Sequence, residues 1–142
     1  MENKIPRYPD IARGSSLCIP IFLFDENKEP IQERYAICFT LKENLYDFDY
    51  SDKFALIQKS AGLVNIEKGQ YEVRISSAET WLPPGEYYFE VSIAPELEPQ
   101  NKIRLGVYQT KITGGPENKF ISKTSPNGFF KGEPLCFGEY QP

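Results

Sequence analysis

Three stretches of the 142-residue chain, 34–42, 70–76 and 86–94, repeat a large apolar side chain at every second position. A period of two is typical of a β-strand that buries one face, because successive side chains point to opposite sides. The residues that this spacing places on the buried faces are Tyr35, Ile37, Phe39 and Leu41, then Tyr71, Val73 and Ile75, and then Tyr87, Phe89, Val91 and Ile93. The chain is therefore predicted to contain at least three half-buried strands.

Three further stretches, 15–24, 54–59 and 102–113, are apolar enough to form strands, and we expect the last to bend at Gly106. Twelve prolines and ten glycines interrupt the chain at short intervals, which excludes long helices. Six or seven strands with turn signals roughly every 8 to 15 residues are typical of a β-sandwich. The sequence therefore predicts an all-β sandwich.

Two connections carry turn signals. Residues Glu67, Lys68 and Gly69 separate two strands and predict a hairpin turn. Ser76 followed by Glu79 matches a capping box, which predicts one helical turn that crosses between the sheets.

Residues 114–142 differ in character from the rest, because they are rich in glycine and proline and contain the adjacent rings Phe129 and Phe130. The segment has no element of its own in which to bury these rings, so they must pack against the sandwich or against another subunit. We predict a sandwich domain over 1–113 and an extended C-terminal tail or arm over 114–142. Phe129 and Phe130 are its candidate partner-interface residues.

Sixteen basic and twenty acidic residues make the chain mildly acidic. No basic stripe is present to neutralise nucleic-acid phosphates or anionic lipid. The start, MENKIPRYPD, lacks the layout of a signal peptide, and no apolar run approaches the ~20 residues of a membrane span. We expect neither nucleic acid nor a membrane as a partner, and synthesis in the cytoplasm.

The three cysteines, Cys18, Cys38 and Cys136, have no CxxC spacing, so neither a disulfide framework nor a zinc site is indicated. We expect three reduced thiols. Cys18 and Cys38 are predicted to be small core residues, and Cys136 to be an accessible thiol in the tail.

The sequence argues against an enzyme, because the chain contains no histidine. Histidine activates the nucleophile in Ser-His-Asp and Cys-His sites, ligates metals, and is the side chain that titrates near neutrality. Phosphate-binding GxxxxGK and GxGxxG patterns are also missing, as is Ser-x-x-Lys. We predict a protein that is not an enzyme, without catalytic residues, cofactor or metal.

The segment 47–52, Asp-Phe-Asp-Tyr-Ser-Asp, places oxygen ligands at alternating positions, as calcium loops do. An EF-hand loop that begins at Asp47 needs glycine at its sixth position and glutamate at its twelfth, where this chain has Asp52 and Gln58. A solvated loop is therefore the preferred interpretation, with an irregular calcium site as the alternative.

Tyr46, Phe48 and Tyr50 alternate in the same segment and are candidate partner-interface residues. They can form one face of an extra edge strand that covers the core. They can also form an exposed patch that grips a partner protein or a sugar ring, since aromatic rings stack well and cost little entropy to fix.

From residue 11 to 113 the order of features resembles the amino-terminal domain of tailed-phage baseplate upper proteins and related virion proteins. The segments that carry the resemblance are Arg13-Gly14-Ser15, the hairpin 25–30, the strand 55–60, the glycine-containing strand 62–66, and the crossing 80–91. The chain departs from the pattern at Lys28, where the family often has glycine, and in its more aromatic connection 44–52.

The resemblance implies an immunoglobulin-like β-sandwich of about seven antiparallel strands with an extended C-terminal arm. It also implies a virion structural protein, made in the host cytoplasm, that docks or spaces its neighbours through protein-protein contacts. Its partners would be other virion proteins and copies of itself, in a homo-oligomer within an assembly. The alternative is a carbohydrate-binding module that recognises host surface glycans through Tyr46, Phe48 and Tyr50.

Overall fold

A computed structural model describes residues 5–44, 54–98, 100–114 and 130–138. Within these residues the chain forms ten strands and one short 3-10 helix. The strands are β1 (Ile11–Ala12), β2 (Leu17–Leu23), β3 (Tyr35–Lys42), β4 (Ile57–Ser60), β5 (Gly62–Asn65), β6 (Gln70–Ile75), β7 (Gly85–Pro95), β8 (Ile103–Thr113), β9 (Phe130–Lys131) and β10 (Leu135–Phe137).

The strands form two packed sheets. The first has the order β1-β8-β7-β3-β4, and the second has the order β10-β2-β6-β5 with β9 also on β2. The seven strands from β2 to β8 pair with one another in antiparallel fashion. The prediction of an all-β sandwich is thus confirmed. The sequence did not reveal the three short strands β1, β9 and β10, which pair in parallel with β8 or β2.

The core lies between the sheets and is built on the side chains that the period of two identified. Of the eleven predicted inward residues, nine are buried, and Tyr35 and Ile93 are partly buried against the same core. Phe89 is fully buried at the centre of an aromatic cluster. Its ring centroid lies 4.8 Å from that of Phe39, 5.1 Å from that of Tyr108 and 5.4 Å from that of Tyr8.

The crossing between β6 and β7 contains the predicted capping box. The backbone N–H of Ser76 donates to Glu79 Oε1 at 2.8 Å, and the N–H of Glu79 donates to Ser76 Oγ at 3.3 Å. Past this turn, the Tyr87 hydroxyl donates to the backbone carbonyl of Pro83. A tyrosine near the start of this strand that bonds back to the preceding corner is a hallmark of immunoglobulin-like sandwiches.

Two irregular positions contain glycine. The predicted hairpin turn is a 3-10 helix over Ile66–Lys68, which ends at Gly69 with a left-handed φ of 61°. A Cβ at Gly69 would lie 2.6 Å from the carbonyl oxygen of Leu23, so another residue would clash there. The predicted bend at Gly106 is a bulge, because Val91 pairs with Gly106 while Ser92 pairs with Arg104.

Residues 130–138, which we call the C-terminal strap, belong to the predicted tail but pack on the sandwich of their own chain. The N–H of Gly132 donates to the Cys18 carbonyl at 2.7 Å, and the N–H of Phe24 donates to the Phe137 carbonyl at 2.8 Å. Leu135 and Phe137 are buried in the core. Of the two partners that the sequence left open for the tail, the strap therefore packs on its own sandwich, because its apolar side chains lie against the edge of β2. The rest of the tail lies outside the described residues.

The prediction that Cys18 is buried is confirmed, whereas Cys38 is only partly buried. Alternate residues of β2 point inward, and Ile19 and Ile21 take those positions, so Cys18 lies on the outer face of the sheet. Cys38 is likewise out of the core, since Ile37 and Phe39 point inward on β3. All three cysteines are free thiols, and Cys136 is partly buried.

Candidate protein-binding surface

Most of the predicted interface residues lie outside the described part of the chain. This applies to Tyr46, Phe48, Tyr50 and Phe129. Of Phe130 only the backbone is described, and it pairs with Leu17 at the start of β2. The role of these five residues stays a prediction.

The described strand ends that flank these segments lie at one end of the sandwich. We call this end the Trp81 pole. It is formed by the end of β1, the start of β2, the end of β3, the start of β4, the end of β6, the start of β7 and the end of β8. The end of β3 and the start of β4 both lie at this pole. The strap begins there too, beside Leu17.

Trp81 is the most exposed ring among the described residues of this pole, with 58% of its surface accessible. It lies in the crossing between β6 and β7. The guanidinium carbon of Arg13 stands over the ring, 4.4 Å from its centroid, which is a cation–π contact. A Cβ at Gly14 would lie 3.3 Å from the same ring, so the Arg13-Gly14 backbone packs closely against it.

Thr80 fixes the two segments that carry this contact. Its side chain is 1% exposed, and its hydroxyl oxygen accepts a hydrogen bond from the N–H of Gly14 at 2.9 Å. The same hydroxyl can donate to the backbone carbonyl of Ser15 at 2.9 Å or to that of Ser77 at 3.1 Å. Because Trp81 follows Thr80 directly, these bonds hold the tryptophan beside Arg13. The exposed Trp81 ring is therefore held in one position by its neighbours.

Two further apolar side chains are exposed at the same pole. Phe54 is 44% exposed and Leu56 is 45% exposed, and the N–H of Leu56 donates to the carbonyl of Leu41 at 2.8 Å. With Trp81 they make three of the seven large apolar side chains that are exposed in the described part of the chain.

A charged pair connects β4 to the crossing at this pole. Lys59 Nζ on β4 lies 3.3 Å from Glu79 Oε2 in the crossing. Burial raises the pKa of Glu79, but the hydrogen bond from Ser76 and the Lys59 ammonium together bring that pKa below its usual value. The carboxylate thus stays charged at neutral pH and ties β4 to the segment that holds Trp81.

The described residues contain no group of three or more histidine, cysteine, aspartate or glutamate side chains that could hold a metal ion. No helix in the described ranges is long and apolar enough to cross a membrane. The thiol of Cys18 donates to Glu72 Oε1 at 3.1 Å, and burial with this hydrogen bond raises the pKa of Cys18 to about 11. Cys18 is therefore a protonated thiol at neutral pH and no nucleophile.

This pKa predicts slow alkylation of Cys18. Iodoacetamide reacts with the thiolate, and a rise of the pKa from 9.0 to about 11 lowers the thiolate population at pH 8 by about a hundredfold. We expect mass spectrometry of labelled peptides to show Cys18 modified at least that much more slowly in the folded chain than in the urea-unfolded chain. Equal rates in the two states would contradict the buried hydrogen bond.

The sequence interpretation missed Trp81 and Arg13 as surface residues. The sequence alone assigned no role to Trp81, and it indicated Arg13-Gly14 only as part of a family pattern. One signal was available, since a large ring in a short connection that ends in Pro83 and Pro84 has little chain with which to reach the core. The stack itself joins segments more than 60 residues apart, as the bond between Gly14 and Thr80 shows, so no local pattern could reveal it.

The chain is an all-β sandwich with an immunoglobulin-like tyrosine corner. No family model matches the chain, and no curated protein matches it. Among solved structures it is similar to the dioxygenase domain of a dioxygenase carbohydrate-binding protein fusion from the cellulolytic bacterium Streptomyces sp. SirexAA-E. The alignment covers 97% of this chain and 94% of that chain at 13% identity, with a TM-score of 0.35. A similarity at this level carries no argument about function.

Proposed function

We propose that this chain is a non-enzymatic bacteriophage virion structural protein that docks or spaces its neighbours through protein-protein contacts, and that the Trp81 pole is its docking surface. The observation that supports docking is the Trp81 ring, more than half exposed and yet held in place by Arg13, Gly14 and Thr80.

The physical argument concerns the entropy of binding. Tryptophan and arginine dominate the binding free energy of protein interfaces, and they do so best when they lie near the centre of an apolar patch. A partner that covers a ring already fixed in one position does not have to immobilise it, which removes part of the cost of association. Phe54 and Leu56 supply further apolar area at the same pole.

The virion role is supported by the resemblance of residues 11–113 to the phage baseplate domain. A β-sandwich suits a scaffold that repeats in a symmetric assembly. The partners would be copies of this chain and other virion proteins, in the tail, baseplate, neck or capsid.

The first experiment compares the mass of the wild-type protein in solution with that of Trp81→Ala, by light scattering over a range of concentrations. We expect a defined oligomer for the wild type. Loss of a central interface tryptophan costs about 2 kcal/mol or more, which weakens association by roughly thirtyfold. Circular dichroism should show an unchanged fold, because more than half of the ring already faces solvent.

Leu97→Ala is the matched control. This leucine is 93% exposed and follows the end of β7, at the opposite end of the sandwich, so its removal should leave the mass unchanged. Equal masses for the wild type and Trp81→Ala at every concentration would rule out the pole as the joint between copies. A strictly monomeric wild type that binds a glycan array through Tyr46, Phe48 and Tyr50 would support the carbohydrate-binding hypothesis instead.

A further inference from the structure

The edge of β2 that the C-terminal strap covers has a sequence feature that is typical of sheet edges. Backbone groups of alternate strand residues point to the same side. The carbonyl of Cys18 and the N–H of Phe24 bond to the strap, whereas the N–H of Leu23 bonds to Gly69 on the other side. Pro20 lies two residues after Cys18, so its backbone faces the strap as well. Because proline has no N–H, β2 has no donor on the strap side at this position. Proline in a sheet is confined to edges and bulges for this reason.

The strap is interrupted opposite this proline. Lys131 pairs with Cys18 and Leu135 pairs with Ile21, so the residues from Gly132 to Pro134 stand where β2 offers no donor. The strap is thus two short strands added to an edge. It is anchored by the buried side chains Leu135 and Phe137 and by the Tyr8 hydroxyl, which donates to the Glu133 carbonyl at 2.8 Å.

The chain that leads to the strap is longer than its crossing requires. Ala12 pairs with Thr113 and Leu17 pairs with Phe130, so the ends of the two crossings are neighbours. The chain uses four residues, 13–16, to pass from Ala12 to Leu17, but sixteen, 114–129, to pass from Thr113 to Phe130. Sixteen extended residues reach roughly 50 Å, whereas paired strands lie about 5 Å apart. The excess length is enough to reach the β2 edge of an adjacent copy.

We propose that the C-terminal strap is an exchangeable strand that pairs with its own β2 in the isolated chain and with the β2 edge of a second copy in an assembly. The strap makes the same contacts after exchange, because the β2 edge of the second copy is identical to its own. The inference rests on the proposed assembly role for its biological setting, and it adds a second joint to the one at the Trp81 pole.

The test uses the full chain with the substitution F22C. Phe22 is the register partner of Cys136, and neighbouring strands place Cα atoms about 5 Å apart, within the range that a disulfide spans. After mild oxidation, non-reducing gels separate a disulfide closed within one chain from one that links two chains. A connection of sixteen residues gives the strap an effective concentration in the millimolar range. We therefore expect closed single chains at micromolar protein, and about half of the chains linked near millimolar protein.

Two control variants define the background. F22C combined with Cys136→Ser should form neither product, which shows that Cys18 and Cys38 do not take part. L97C with the native Cys136 carries an exposed thiol away from the strap, so the links that it forms measure random collision. More linked chains for F22C than for L97C at the same concentration support exchange.

Two outcomes overturn the proposal. One is a closed single chain that forms in good yield with no more linked chains than L97C gives up to millimolar protein. The other is no disulfide in either form, because the strap would then not pair with β2 at Phe22. Either result leaves the docking function intact if Trp81→Ala still lowers the mass of the oligomer, so the two proposals can fail separately.

Discussion

Replacing Phe89 with alanine is expected to destabilise the sandwich by about 3–5 kcal/mol, the cost of removing a fully buried phenylalanine ring. The ring contacts three other aromatic side chains, Tyr8, Phe39 and Tyr108, which come from separate segments of the chain. Its removal leaves a cavity that all three border. The measurement is urea unfolding followed by circular dichroism, and the loss amounts to a large fraction of the roughly 5–15 kcal/mol typical of a domain.

Phe54→Ala is the matched control for this prediction. The same atoms are removed, but from a side chain that is 44% exposed at the Trp81 pole. We expect a change well below that of Phe89→Ala, since much of the ring is already in water. Similar losses at the two positions would mean that Phe89 is not at the centre of the core.

The second large effect is expected for the double substitution Leu135→Ala and Phe137→Ala in the strap. Both side chains are buried, at 5% and 7% exposure, and Phe137 contacts the ring of Tyr108. Their truncation should lower the free energy of unfolding by about 4 kcal/mol or more. Loss of these anchors should also expose the strap, so that trypsin cleaves after Lys131 faster than in the wild type.

Glu133→Ala tests whether the strap is held by these side chains or by its backbone alone. The Glu133 side chain is exposed, and Tyr8 bonds to its backbone carbonyl, which alanine retains. We expect unfolding and proteolysis as in the wild type. An unchanged urea midpoint for the double variant would show that the strap is not part of the core.

The contacts of the strap with its own sandwich limit how the strap can bind a neighbour. An arm with no contact to its own sandwich would be free to bind a neighbour at no cost. The strap instead fills the β2 edge of its own chain, so a neighbour can receive it only by exchange. Under the two proposals, the Trp81 pole would join copies through side chains and the β2 edge would join them through backbone pairing.

The strands and their inward faces could be predicted from the sequence without the fold. A large apolar residue at every second position has only one way to be buried, so β3, β6 and β7 and their inner side chains follow from the spacing. The turn at Gly69 and the capping box of Ser76 and Glu79 were equally local, because the hydrogen bonds involved join residues a few positions apart. The lack of histidine likewise limits the chemistry open to the chain, since composition is the same whatever the fold.

Features that join distant residues needed the tertiary structure. In β2 every position from Leu17 to Leu23 is apolar, so the sequence carried no alternation to say that Cys18 faces outward. The sequence also could not show that the strap returns to β2, since glycine and proline give it no pattern of its own. The contact of Arg13 with Trp81 depends on Thr80, which bonds across 66 positions of sequence. Periodicity encodes the face that a strand buries, but which partner covers an edge or supports an exposed ring depends on which segments folding brings together.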